Sequence, residues 1–154
     1  MSKHDKYVEK WVGYLHKADR EMSRIAAKKL GETKDNSVVP ELVKALYNRP
    51  DDVRLAAIRA IGDIGDVSGV QPLIELLNEN DPLISSAAVD SLGSIGSAKA
   101  VPPLVEILKN FRTSNQSRHK QLHGFDRGVF MAAVHALQRI GTPAARKAID
   151  IYQG

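Results

Sequence analysis

Val53-Arg54-Leu55-Ala56-Ala57-Ile58-Arg59-Ala60-Ile61-Gly62-Asp63-Ile64-Gly65-Asp66 carries one helical stripe, formed by Val53, Ala56, Ala57, Ala60, Ile61 and Ile64. Gly62 and Gly65 fall at and just past its end, where glycine serves as a C-terminal cap. Upstream, Val39, Leu42, Val43 and Leu46 stand at i, i+3, i+4 and i+7, the stripe of another helix. Asn48-Arg49-Pro50-Asp51 separates the two with turn-forming residues. The unit is a helix–turn–helix pair. Its paired alanines, Ala56 and Ala57, are small enough for the next unit to approach closely.

The pair recurs. Val39, Val70 and Val101 lie 31 residues apart, as do Leu15, Leu46, Leu77 and Leu108, and Leu30, Ile61 and Leu92. A fixed period of this size means stacked copies of one small unit rather than a globular fold around one catalytic cleft. The expected architecture is all-α: an α-solenoid, or alpha-alpha superhelix, of four to five helix pairs. The expected units are 5–35, 36–66, 67–97 and 98–141, within a single domain over 1–154. In the third unit, Asp81 is the expected N-cap with Pro82 at the first helical position. Ile84, Ala87, Ala88, Leu92 and Ile95 form its second stripe, closed by Gly93 and Gly96. The first unit is Lys-rich and holds the only tryptophan, Trp11, as the polar cap a solenoid needs at its end. Residues 142–152 start like a fifth first helix and form the other cap.

The period breaks once. Leu77 to Ile84 is 7 residues, but Leu108 to Val129, the matching interval, is 21, so fourteen residues have been added. Residues 111–128 are expected as an inserted basic loop, with Ser114 capping a short helix that ends at Gly124 and with Phe111 and Phe125 tethering its ends. Insertions in solenoids fall on one face and often serve binding.

Composition bounds the chemistry. There is no cysteine, which excludes disulfide frameworks, thiolate zinc sites and cysteine nucleophiles. The charged N-terminus leads into no signal-like apolar stretch, and every apolar run is interrupted well short of about 20 residues. The expectation is a cytoplasmic protein with no membrane partner. The net charge of +4 is uneven. Residues 1–35 hold nine Lys/Arg and six Asp/Glu, a net of +3; residues 36–110 hold six and ten, a net of −4; residues 111–154 hold seven and two, a net of +5. An acidic middle between basic ends suits a partner of patterned charge, end-to-end homo-oligomerisation, or ordinary solvated surface.

The phrases Ala56-Ala57…Ile61-Gly62-Asp63-Ile64-Gly65-Asp66 and Ala87-Ala88…Leu92-Gly93-Ser94-Ile95-Gly96 resemble the HEAT-like repeat of the phycobilisome-lyase family. So do Val70-Gln71-Pro72-Leu73-Ile74-Glu75-Leu76-Leu77 and Val101-Pro102-Pro103-Leu104-Val105-Glu106-Ile107-Leu108. The resemblance spans roughly residues 8–152. It implies the fold and leaves the function open, because that repeat serves chromophore lyases, a di-iron hydroxylase, DNA-repair proteins and adaptors. It also implies that the second helices line the concave face. Equivalent positions then form columns: Arg24, Leu55, Ser86 and Met131; Lys28, Arg59, Asp90 and His135; and, nearer the helix ends, Glu32, Asp63, Ser94 and Arg139.

These columns mix sign and chemistry, which favours a protein partner. A nucleic-acid groove is expected to repeat Lys or Arg down a column, and Asp63 and Asp90 interrupt that. The candidate partner-binding residues are therefore Arg24, Lys28, Leu55, Arg59, Asp90, Met131 and His135 on the second helices. In the insertion they are Arg112, Arg118, His119, Lys120, His123 and Arg127. Its basic residues suit phosphates or an acidic peptide. His119 and His123 have the i, i+4 spacing of a metal pair, but no third ligand lies nearby in sequence.

Enzymatic readings find little support. The His-Glu dyads that the hydroxylase relatives carry as metal ligands do not occur, since the five histidines precede Asp5, Lys17, Lys120, Gly124 and Ala136. The lyase relatives are paired subunits generally longer than this chain. No G-x-S-x-G elbow, P-loop or dinucleotide fingerprint is present. The expectation is a non-catalytic scaffold without cofactor or metal, displaying a rigid surface to a protein. A nucleic-acid-binding module and an accessory subunit of a lyase-type complex are the alternatives.

Overall fold

The computed structural model describes residues 1–17, 19–47, 49–116 and 124–153; for 114–116 and 124–126 it describes the backbone alone. Four helix pairs follow one another: α1 (Lys3–Leu15) with α2 (Arg20–Glu32), α3 (Val39–Lys44) with α4 (Asp51–Ile64), α5 (Val70–Glu75) with α6 (Pro82–Ile95), and α7 (Val101–Gln116) with α8 (Gly124–Ile140). The last helix, α9 (Pro143–Gln153), packs on both α7 and α8. Among the described residues there is no strand. The second helices form a row, α2 on α4, α4 on α6 and α6 on α8, and each also packs on its own first helix. This is the α-solenoid that the 31-residue period implies.

The chain turns the same way at each junction. Gly65 (φ 79°) and Gly96 (φ 73°) end α4 and α6 in the left-handed region, where a side chain would be strained. Then Asp35, Asp66 and Ser97 each accept the backbone N–H two residues on, at Ser37, Ser68 and Lys99. Each cap holds a single 3-10 turn, at Asn36–Val38, Val67–Gly69 and Ala98–Ala100, that leads into the next first helix. Asp81 caps α6 as expected: one carboxylate oxygen accepts from Leu83 N at 2.8 Å and Ile84 N at 3.1 Å, with Pro82 opening the helix.

One core runs through the stack from Leu15 to Ala145. From the first helices it takes Val39, Leu42, Val70, Leu73, Val101 and Leu104, and from the second Leu30, Ile58, Ile61, Ile84 and Leu92. Each fully buried leucine or isoleucine contributes roughly 1.5–3 kcal/mol of transfer free energy.

The structure corrects three expectations. First, Gly62 and Gly93 are not caps but lie inside α4 and α6, where second helices cross. A Cβ on Gly31 would lie 2.8 Å from Ala60 Cα, one on Gly62 2.7 Å from Ser91 Oγ, and one on Gly93 2.8 Å from Ala136 Cα. The Gly31–Ala60, Gly62–Ser91 and Gly93–Ala136 contacts are therefore points of close approach between second helices. At the Gly62 crossing the Ser91 hydroxyl also donates to Ile58 O, at 3.0 Å. Second, the first helices end before the stripe expected of them. Leu46 lies in the turn after α3 and is buried, whereas Leu77, the matching stripe position, lies in the 3-10 turn Leu76–Asn78 after α5 and is only half-buried, next to the buried Leu76.

Third, the described parts of the 111–128 segment, residues 111–116 and 124–128, are helical rather than a loop. Residues 111–116 continue α7, so Ser114 sits within a helix rather than capping one, and Gly124 opens α8 rather than closing a helix. The physical reason is that no Pro or Gly follows Leu108 until Gly124, and Phe111 keeps the α-helical register set by Leu104 and Leu108. Phe111 stacks on Phe130 of α8 with ring centroids 4.4 Å apart, so the lengthened helices of this pair hold each other.

Candidate functional site

The second helices expose one continuous face with a groove on either side of α4. The first, about 590 Å³, runs between α2 and α4 and is lined by Arg24, Ile25, Lys28, Asp52, Leu55 and Arg59, with Asp63 at its end. The second, about 320 Å³, runs between α4 and α6, where Leu55 and Arg59 meet Leu83, Ser86, Asp90 and Ser94. Arg24 and Lys28 share a side of α2 because they are four residues apart, and Leu55, Arg59 and Asp63 share a side of α4 for the same reason. The glycine seam sets these rows close together. Leu55 and Arg59, on the ridge between the grooves, line both.

Charge pairing sorts this face. At one end, Arg20 Nε donates to both Asp52 oxygens at 2.8 and 2.9 Å and ties α2 to α4. Desolvation pushes the Asp52 carboxyl up, but the Arg20 hydrogen bond and charge prevail and hold it below its usual value. At the other end, Lys29 donates to Glu32 at 2.9 Å and keeps the Glu32 carboxyl low. Arg139 reaches back from α8 to Asp90 O at 2.8 Å and Ser94 Oγ at 3.3 Å, with its guanidinium 3.8 Å from the Asp90 carboxylate. Between these pairs, Arg24, Lys28 and Arg59 are exposed and make no hydrogen bond or ion pair with any described residue.

The structure thus brings Arg24, Lys28, Leu55 and Arg59 to one groove and Leu55, Arg59 and Asp90 to the next. Met131 and His135 are exposed further along the row, on α8, and line neither groove. Arg112 is apart from this face: its guanidinium donates to Ile151 O and fastens α7 to α9. Arg127 is exposed near the start of α8. Arg118, His119, Lys120 and His123 lie outside the described residues, as does the side chain of Phe125.

Sequence reasoning missed Leu83, a residue 66% exposed on the rim of the second groove. The signal was present. Leu83 is apolar yet out of phase with the stripe of Ile84, Ala87 and Ala88, and the matching position in the previous unit is Asp52. Among the described residues no three His, Asp or Glu side chains cluster as a metal would require, and no helix is long and apolar enough to cross a membrane.

The HEAT repeats family matches this chain over residues 8–79 and 39–114. No curated protein matches the sequence. Among solved structures, the chain is similar to the complex of CpcE and CpcF of phycocyanin lyase from Nostoc sp. PCC7120. There the identity is 21% and the TM-score 0.63, over 96% of this chain and 65% of that one. It is also similar to an engineered protein, at 24% identity and a TM-score of 0.62, over 95% of this chain and 68% of that one. At these identities the likeness shows the fold, and the chain spans just under two thirds of the lyase chain it matches.

Proposed function

This chain belongs to the HEAT-repeat family, and from that premise we propose that it is a non-catalytic scaffold that binds a protein partner on the face of its second helices. The observation that carries this reading is the pair of grooves flanking α4, where exposed cations that pair with no described residue stand beside the apolar side chains of Leu55 and Leu83. A surface held by glycine-seamed helices is already ordered, so little conformational entropy is lost when a partner docks. The basic residues of the 111–128 segment extend the reading to the fourth pair, with Arg127, Met131 and His135 as its reach along α8.

A nuclease-treated pull-down from native lysate, read by mass spectrometry, tests it. Intact protein is compared with Leu55→Asp and with a variant in which the chain from Arg112 to Phe125 is replaced by a short turn. A protein captured by the intact form and lost with Leu55→Asp supports the groove face. One lost only with the shortened segment moves the site to the fourth pair. Capture of nucleic acid alone, once nuclease is omitted, overturns the reading.

The likeness to the CpcE and CpcF complex supports a second version, in which the partner is another helical-repeat chain of a lyase-type assembly. Co-purification of visible absorbance with the captured partner distinguishes it.

A further inference from the structure

We propose that the groove between α2 and α4 recognises a short acidic segment of a protein partner, two or three carboxylates beside one bulky apolar side chain. The inference rests on the scaffold reading and names the chemistry of its partner.

The argument starts from which cations are already committed. Arg20 is held by Asp52, Lys29 by Glu32, Arg54 by Glu79 and Asp51, and Arg139 by Asp90 and Ser94. Arg24, Lys28 and Arg59 face one groove and make no hydrogen bond or ion pair with a described residue, although the charge of Lys28 also acts on the Glu32 carboxylate. Three like charges on one groove repel each other, and an incoming anion relieves that repulsion. Two of the three are arginines, whose planar fork fits a carboxylate in two parallel hydrogen bonds.

The extent of the charge sets the size of the ligand. The cations occupy a single interhelix span, which is about 8–10 Å. An extended peptide rises about 3.3 Å per residue, so this span matches roughly three residues. Beyond it the sign reverses, with the Asp63 carboxylate at the groove's end and Asp90, its side chain 60% exposed, on the next helix. A nucleic-acid strand would carry its negative charge on into those carboxylates and pay repulsion there. A peptide can place acidic residues over α2 and α4 and change character by α6, where Ser86, Asp90 and Ser94 line the wall. The half-buried Leu55 beside Ile25 gives an apolar side chain of the same peptide its contact.

The probe is a fluorescein-labelled twelve-residue peptide with one leucine flanked by glutamate pairs, read by fluorescence anisotropy. Its Gln-for-Glu counterpart and a labelled single-stranded oligonucleotide of equal length serve as comparisons. The Glu peptide is expected to bind, and the Gln peptide to bind roughly tenfold more weakly or worse. Arg24→Glu, Lys28→Glu and Arg59→Glu are each expected to weaken binding about tenfold. Arg146→Glu, a control on α9 whose exposed side chain pairs with no described residue, is expected to change it less than about twofold. Thermal melts of the variants, expected within a few degrees of one another because all four sites are exposed, separate loss of binding from loss of fold.

Equal binding of the Glu and Gln peptides overturns the inference, as does an Arg146→Glu loss as large as that of Arg59→Glu. Tighter binding of the oligonucleotide, falling steeply with salt, overturns it in favour of nucleic acid. If a partner from lysate is lost with Leu55→Asp but kept by the triple charge reversal, the acidic-segment inference fails and the scaffold reading stands.

Discussion

The second-helix row meets through glycine: Gly31 against Ala60, Gly62 against Ser91, Gly93 against Ala136, each with no room for a Cβ. The first-helix row is filled differently, by Val39, Leu42, Val70, Leu73, Val101 and Leu104, nearly all of them fully buried. One row is close because its contacts are small, and the other is full because its contacts are large. The glycine crossings of the second helices should therefore resist added volume, while the large side chains that the first helices contribute, like those the second helices bury beside them, should resist removed volume. The face proposed for binding lies on the row that meets through glycine.

The largest effect is expected at the first row. Leu73→Ala removes a fully buried side chain from α5 and should cost about 2–5 kcal/mol in chemical denaturation, depending on how far the site collapses. Gly62→Ala, the addition of one methyl group to the second row, should come next at about 1–3 kcal/mol, because the obstructing atoms include the Ser91 backbone. If Gly62→Ala proves neutral, the seam is looser than described and the contrast between the rows collapses. Asp81→Ala leaves two α6 N–H groups without their cap and should cost about 1 kcal/mol.

A pH-dependent effect follows at the first junction between pairs. Hydrogen bonds from Ser37, with His4 Nε2 at 2.9 Å, lower the Asp35 carboxyl to about 2. A carboxyl whose folded value lies below its unfolded value of 3.8 stabilises the fold fully above that value and loses the contribution as pH falls through about 2. The melting temperature of Asp35→Asn should therefore lie below that of the wild type at pH 5 and converge with it near pH 2. A gap that stays constant across this range would mean that the charge is not what Asp35 supplies. The smallest effect is expected at Gly13, in α1, where a Cβ meets nothing within 4 Å. Gly13→Ala should be neutral or stabilising by up to about 1 kcal/mol, the ordinary helix propensity gain. Gly62→Ala and Gly13→Ala thus make the same chemical change with opposite sign.

Much of this was legible in the sequence because the repeat shows each position several times. A single Ile61 is ambiguous, but Leu30, Ile61 and Leu92 at one spacing are not. The Asp81-Pro82 start of α6 and the caps at Gly65 and Gly96 follow from local backbone chemistry, which needs no partner to be read. Gly62 was misread because a glycine near a helix end looks the same whether it caps or yields space, and only the neighbouring Ser91 tells them apart. The extension of α7 was hidden by the broken period, although Phe111 kept the helical spacing. The pairs Arg24–Lys28 and Leu55–Arg59 that line the candidate groove were also legible from spacing. Which cations stay unpaired was not, since that depends on partners such as Arg139 and Asp90, 49 residues apart.

The glycine seam also bears on how such a chain can change length. Ala60, Ser91 and Ala136 receive a glycine from the preceding second helix, and Gly62 and Gly93 each offer one to the following helix. The α4 and α6 units therefore carry both halves of the joint. A duplicated copy of either, inserted between its neighbours, brings a socket for the unit before and a gap for the unit after. At the position of Ala60 and Ser91, α2 has Lys29, and at the position of the glycines α8 has the exposed Gln138. Tandem duplication inside the array thus inherits a working interface, whereas a copy stacked against α8 would first need Gln138 to become small.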